Sequence, residues 1–138
     1  RYTRPVPPSD DNALRELVRY AVMAASSHNT QPWKFRLAPG RISVVPDHAR
    51  RTPAVDPDDH HLYCSVGCAV ENIVQAARGL GYAASARYSA SADAVHVDLA
   101  AAEPVRTPLF DALAERQCTR ADYDGRPLAE DAQAALVE

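Results

Sequence analysis

One run, DDHHLYCSVGCAVENIVQAARGL from Asp58 to Leu80, constrains this chain more than any other. Its apolar residues recur at helical spacing, and Gly79 and Gly81 stop it. Leu62, Val66, Ala69, Val70, Ile73, Ala76 and Ala77 spread over more than one side of that helix. An ordinary surface helix carries a single apolar stripe. A wider surface has to be covered from several directions. The run therefore predicts a central helix, buried in the core or shared with a second subunit. Asp56 is placed to cap it, with Pro57 in its first turn.

The other elements read as its cover. The opening RYTRPVPPSDD is expected to be an extended arm, because Pro5, Pro7 and Pro8 remove donors and exclude helix. Ser9, Asp10 or Asp11 can cap a helix to about Ala25, with Leu14, Leu17, Val18, Ala21 and Val22 as its stripe. WKFRLA and RISVVPD read as strands joined in a hairpin at Pro39-Gly40. SARYSAS and AVHVDLA read as two more strands, the second pointing Val95, Val97 and Leu99 inward against His96 and Asp98. A short helix from about Pro108 to Arg116, the loop CTRADYDGRPLAED and the start of another helix complete the chain. The expected class is α+β, with helices flanking a small mixed or antiparallel sheet.

The length of 138 residues suits one domain with a genuine core. A net charge of −3 gives no basic footprint for nucleic acid. No apolar run approaches the roughly 18 residues of a membrane span. Three cysteines, of which only Cys64 and Cys68 lie near each other, make no disulfide framework, so a reducing, cytoplasmic setting is expected. The chain opens on Arg1 rather than Met, and the expectation is that an N-terminal piece precedes it. RPVPPSDDNALRELV from Arg4 and RPLAEDAQAALVE from Arg126 share Arg-Pro-aliphatic, then acids, then an amphipathic helix. That likeness predicts a first unit over 1–115 and the start of a second, similar unit over 116–138.

Between the first helix and the first strand lies SSHNTQPW, with Ser26, Ser27, Asn29 and Gln31 inside six residues. Such residues can simply close a helix and form a turn, with Pro32 blocking continuation and Trp33 entering the core. They also supply more donors and acceptors than a turn requires. Asn and Gln each offer both, which suits the alternating C=O and N–H edge of a planar heterocycle.

SSHNTQPWKF resembles the Ser-Ser-x-Asn-x-Gln-Pro-Trp signature of the nitroreductase family, FMN-dependent α+β oxidoreductases. HLYCSVGCAVENIVQAARGLGY is similar to that family's long central helix, which builds its dimer interface. RRTPAVDPDDHHLYCSVGCAVENI is closer to the Acg-type branch, in which two such units are fused. Arg116 and Arg120 in RQCTRADYDGRP carry the spacing of the family's phosphate-gripping Arg-x-Ser-x-Arg, with Cys118 in place of Ser. The RYTR at Arg1 does not fit that motif.

The resemblance implies a nitroreductase-like fold and one flavin site per fused chain. Ser26, Ser27, Asn29 and Gln31 would hold the isoalloxazine edge, while Arg116, Cys118 and Arg120 would face it from the second unit or a second copy. It implies NAD(P)H as electron donor and a nitroaromatic or quinone-type small molecule as acceptor, with no protein nucleophile. It also implies that a lidded member could hold flavin without turning over.

Two rival readings stand beside it. His60, Cys64 and Cys68 lie four apart on one helix face, with His48 and His61 near in sequence, and could ligate a metal. Cysteine inside an apolar helix also behaves as a small hydrophobe. Alternatively, the chain could be a non-enzymatic scaffold that dimerises through the Asp58–Leu80 helix. His28 stands at the variable position of the signature and reads as a turn residue. The acids of DPDDHH read as helix-capping groups.

Overall fold

A computed structural model describes residues 11–137. The proline-rich arm expected over the first eleven residues lies outside the described residues except for Asp11, and Glu138 lies outside them too.

Helix α1 (Asp11–Ala21) is followed by a 3₁₀ turn (Ser27–Asn29), β1 (Trp33–Ala38) and β2 (Arg41–Pro46). Next come a second 3₁₀ turn (His48–Arg50) and α2 (His60–Gly79). Strands β3 (Tyr82–Ser89) and β4 (Ala94–Ala101) follow, then α3 (Pro108–Ala112) and α4 (Glu130–Ala135). The strands form one sheet in the order β1-β2-β4-β3, antiparallel at every step. The hairpin at Pro39-Gly40 is as read from the sequence: Ala38 pairs with Arg41 across it, and Gly40 takes φ +68°. Proline then glycine at the two central positions is the composition of a type II turn, where only the second residue needs positive φ.

One face of the sheet lies on α2. Ile42, Val44, Val97 and Leu99 meet Val66, Ala69, Ile73, Ala76 and Ala77 in a single buried cluster, which Leu14, Leu17 and Ala21 of α1 extend. The alternation expected of β4 is present, with Val97 and Leu99 buried and Val95 packed at the edge of the cluster. His96 and Asp98 face the other way. The His96 ring lies 2.8 Å from Ser43 Oγ, and Asp98 accepts from Arg41 at 2.5 Å.

Several boundaries depart from the sequence reading. Helix α1 ends at Ala21, four residues short of Ala25. Met23 and Ala24 turn their N–H groups to carbonyls three residues back, and the Asn72 side chain donates to the Tyr20 carbonyl at 3.0 Å. The carbonyl that the next turn would need is thus taken by another helix. Helix α2 starts at His60 rather than Asp58, and Pro57 stays outside its first turn. Asp59, at φ +60°, ends the loop in the left-handed region. Asp56 nevertheless performs the expected capping from three residues upstream of that boundary. Its carboxylate accepts from the His61 and Leu62 N–H groups, both at 3.0 Å. Strand β3 begins three residues earlier than expected and ends at Ser89, and α3 is complete by Ala112.

Helix α2 also leaves one side open, with Cys64, Gly67, Cys68 and Glu71 exposed. Near its end, Phe110 of α3 lies flat on Gly79, where any added Cβ would overlap the ring. From Ala114 to Val137 every residue is exposed.

Candidate functional site

The polar turn is held from within by its serines. The Ser26 hydroxyl accepts from the Gln31 N–H at 3.0 Å, and the Ser27 N–H donates to Ser65 Oγ of α2 at 3.1 Å. Ser27 Oγ lies 3.0 Å from His28 Nδ1, and Thr30 donates to the Ser27 carbonyl at 2.9 Å. These ties impose an unusual backbone. His28, Asn29 and Gln31 take φ of +51°, +55° and +50°. Positive φ is tolerated by Asn and disfavoured for a residue such as Gln, and each such position costs roughly 1–2 kcal/mol. Strain of this kind persists only where surrounding contacts enforce it, and it gathers at functional sites.

The outcome is a turn whose serines are internally committed and whose two amides are not. The side chains of Asn29 and Gln31 are exposed and make no hydrogen bond among the described residues. Beside the turn's serines a groove of about 230 Å³ runs against α2, lined by Ala25, Ser26, Ser27, His61, Cys64 and Cys68. Ser65 forms its floor and donates to the His61 carbonyl at 2.6 Å. Ser65 was not singled out from the sequence. A serine on the buried side of an otherwise apolar helix was the available signal.

Of the three residues expected to grip a phosphate, Arg116 is brought to this region. Its Nη2 donates to the Met23 carbonyl at 2.7 Å, three residues before Ser26, and its Nη1 lies 3.2 Å from Cys118 Sγ. Arg120 is exposed and makes no hydrogen bond or ion pair among the described residues. The structure thus gathers Ser26, Ser27, Asn29, Gln31 and Arg116 on one side of the molecule, and it does not bring Arg120 to the turn.

The residues proposed as metal ligands do not converge. His60 Nε2 and Cys64 Sγ are 3.6 Å apart, but His61 is turned to Asp56 at 3.1 Å and His48 to Asp93 at 2.9 Å. Among the described residues no group of three His, Cys, Asp or Glu is placed to hold a metal ion.

Two polar networks flank the groove, and the Asp56 network reaches its lining through His61. Burial pushes the Asp56 carboxyl up, but the His61 and Leu62 N–H bonds and the His61 ring outweigh it and hold the group below its ordinary range. The His48 hydrogen bond, with Tyr63 and Tyr88 also donating, lowers Asp93 against the opposing effect of burial. Burial, then the bond to Asp93, pushes Tyr63 up to about 12.

These features define a class before any name does: an α+β chain with a strained, amide-bearing turn beside an open groove. The chain is similar to two proteins from two strains of Mycobacterium tuberculosis, each named "Putative NAD(P)H nitroreductase". Each is 31% identical over 97 residues, covering 70% of this chain. The matched part is 28% of each relative, so the chain spans under a third of the proteins it resembles. No protein-family profile matches the chain. No helix among the described residues is long and apolar enough to cross a membrane.

Proposed function

We propose that this chain is part of a cytoplasmic, FMN-dependent NAD(P)H oxidoreductase of the nitroreductase type, passing electrons to a nitroaromatic or quinone-type acceptor. One observation carries the proposal: the Ser26–Gln31 turn combines enforced positive φ and two unpaired amides, at Asn29 and Gln31, with serines that line a groove against α2. That donor set fits the group. Asn29 and Gln31 would each read a donor–acceptor pair on the pyrimidine edge of the flavin. The serines would keep the turn in the shape that aims those amides. When bound, FMN would supply the hydride and electron chemistry, and the protein's part is binding, orientation and electrostatics.

The groove is open on one side and would hold only one edge of a tricyclic ring, so a second wall is needed. In this reading it comes from a second copy or from a second unit fused to this one, as in the Acg-type branch, with α2 as the central interface helix. The relatives are more than three times as long as the matched segment, which leaves room for that unit. Arg120, with its guanidinium uncommitted, would meet the flavin phosphate together with Arg116. Cys118 would be the weak member of that set, since a thiol is a poor donor.

Absorbance on adding FMN, then NADPH without oxygen, tests the reading. A shifted flavin spectrum that NADPH bleaches is expected. No shift on FMN addition would end the proposal for this chain. A bound flavin that NADPH cannot bleach would favour the second reading, a flavin-holding protein with a covered site.

A further inference from the structure

A second cavity lies on the far side of Arg116 from the turn. About 290 Å³ opens between α2 and α3, lined by Glu71, Asn72, Gln75, Leu109, Leu113 and Arg116. Its α2 wall is polar in a lopsided way. Gln75 is only 8% exposed, and its Nε2 donates to Glu71 at 2.6 Å, yet its Oε1 has no hydrogen-bond partner. Turning the amide over would set Oε1 against the Glu71 carboxylate, so the bond to Glu71 fixes which atom is left alone. A buried acceptor without a donor is costly, and native proteins carry few. Glu71, one turn away, is exposed and has no cationic partner among the described residues. The neighbouring donors are already engaged: Asn72 gives its amide to Tyr20, and Arg116 is held by Met23 and Cys118. Leu109 and Leu113 supply an apolar wall opposite.

The α2 wall therefore offers two acceptors, one of them charged, and the α3 wall offers hydrocarbon. We propose that this cavity binds a small amine or amidine carried on an apolar body. The cationic N–H groups meet Glu71 and Gln75 Oε1, the latter after a small rotation of its amide, and the body lies on Leu109 and Leu113. Pockets of comparable size take small ligands by the same combination of apolar lining and a few placed polar groups. The site is distinct from the flavin groove, though it shares Arg116 and helix α2 with that reading.

Benzamidine is the probe, with benzoate as its anionic counterpart of the same shape. Titrated into the whole protein and followed by calorimetry and by the Gln75 side-chain amide signal, benzamidine should bind saturably and move that signal, and benzoate should not. Gln75→Met keeps the volume and removes the orphan oxygen. It should weaken benzamidine by about tenfold, and Glu71→Gln should weaken it similarly. Benzamidine binding that is absent, or equal in Gln75→Met, overturns the proposal. So does benzoate binding as well as benzamidine. FMN titration of the same variants is expected to match the parent, so failure of either reading is seen independently.

Discussion

Two polar loops approach the start of α2, and they are built to opposite ends. Around Asp56 every strong group is used: the carboxylate takes two backbone N–H groups and the His61 ring. At Ser26–Gln31 the backbone is strained and two amide side chains are left over. The first loop spends its polarity on the fold. The second uses its serines to hold a shape that does nothing for stability. The contrast distinguishes the two stretches better than polarity does, since both are polar in sequence.

Breaking the first loop gives the largest expected effect. Asp56→Ala leaves two N–H groups of α2 without their acceptor, and the melting temperature should fall by several degrees in thermal unfolding. The same measurement on Asn29→Ala should show almost no change. Flavin titration of that variant reverses the ranking, with the dissociation constant for FMN rising about tenfold, near 1.4 kcal/mol. Equal stability losses in both variants would erase the contrast.

Gln31→Gly sharpens the comparison from the other side. Glycine accepts φ of +50° without a steric penalty, so stability should rise by up to about 1 kcal/mol in denaturant unfolding while FMN binding weakens. A destabilised glycine variant would mean that the side chain does structural work. The smallest effect is on pH. Asp56 and Asp93 are both held below their ordinary range in the folded chain. Their contribution is present above the unfolded carboxylate value of about 3.9 and is lost as pH falls toward the folded values. The melting temperature should drop below about pH 4, and less so in Asp56→Asn than in the parent.

Much of the scaffold was legible because it follows from period and turn chemistry. The alternation in β4, the Pro39-Gly40 turn and the apolar run of α2 are local signals, and all four strands appear where those signals put them to within a few residues. Asp56 was recognised as a cap, though its reach of three residues past Asp59 depends on a left-handed residue that sequence does not announce. The end of α1 was misplaced because the competitor for the Tyr20 carbonyl, Asn72, is 52 residues away. In the site, the residue types were readable and their division of labour was not. Which amides remain free depends on Ser65 and on torsions at His28, Asn29 and Gln31, and none of these leaves a periodic trace. The approach of Arg116 to Met23 crosses 93 residues and is visible only in the folded chain.

Gly79 shows how far a small vacancy can act. Because Phe110 rests where a methyl group would be, the whole α3 segment takes its seat from a missing side chain. Six residues downstream of that ring, Arg116 reaches the edge of the amide-bearing turn. Alanine at position 79 would act as a wedge, lifting α3 and drawing the guanidinium off its carbonyl. A single methyl, buried under α3, would loosen the cation that sits just ahead of the turn.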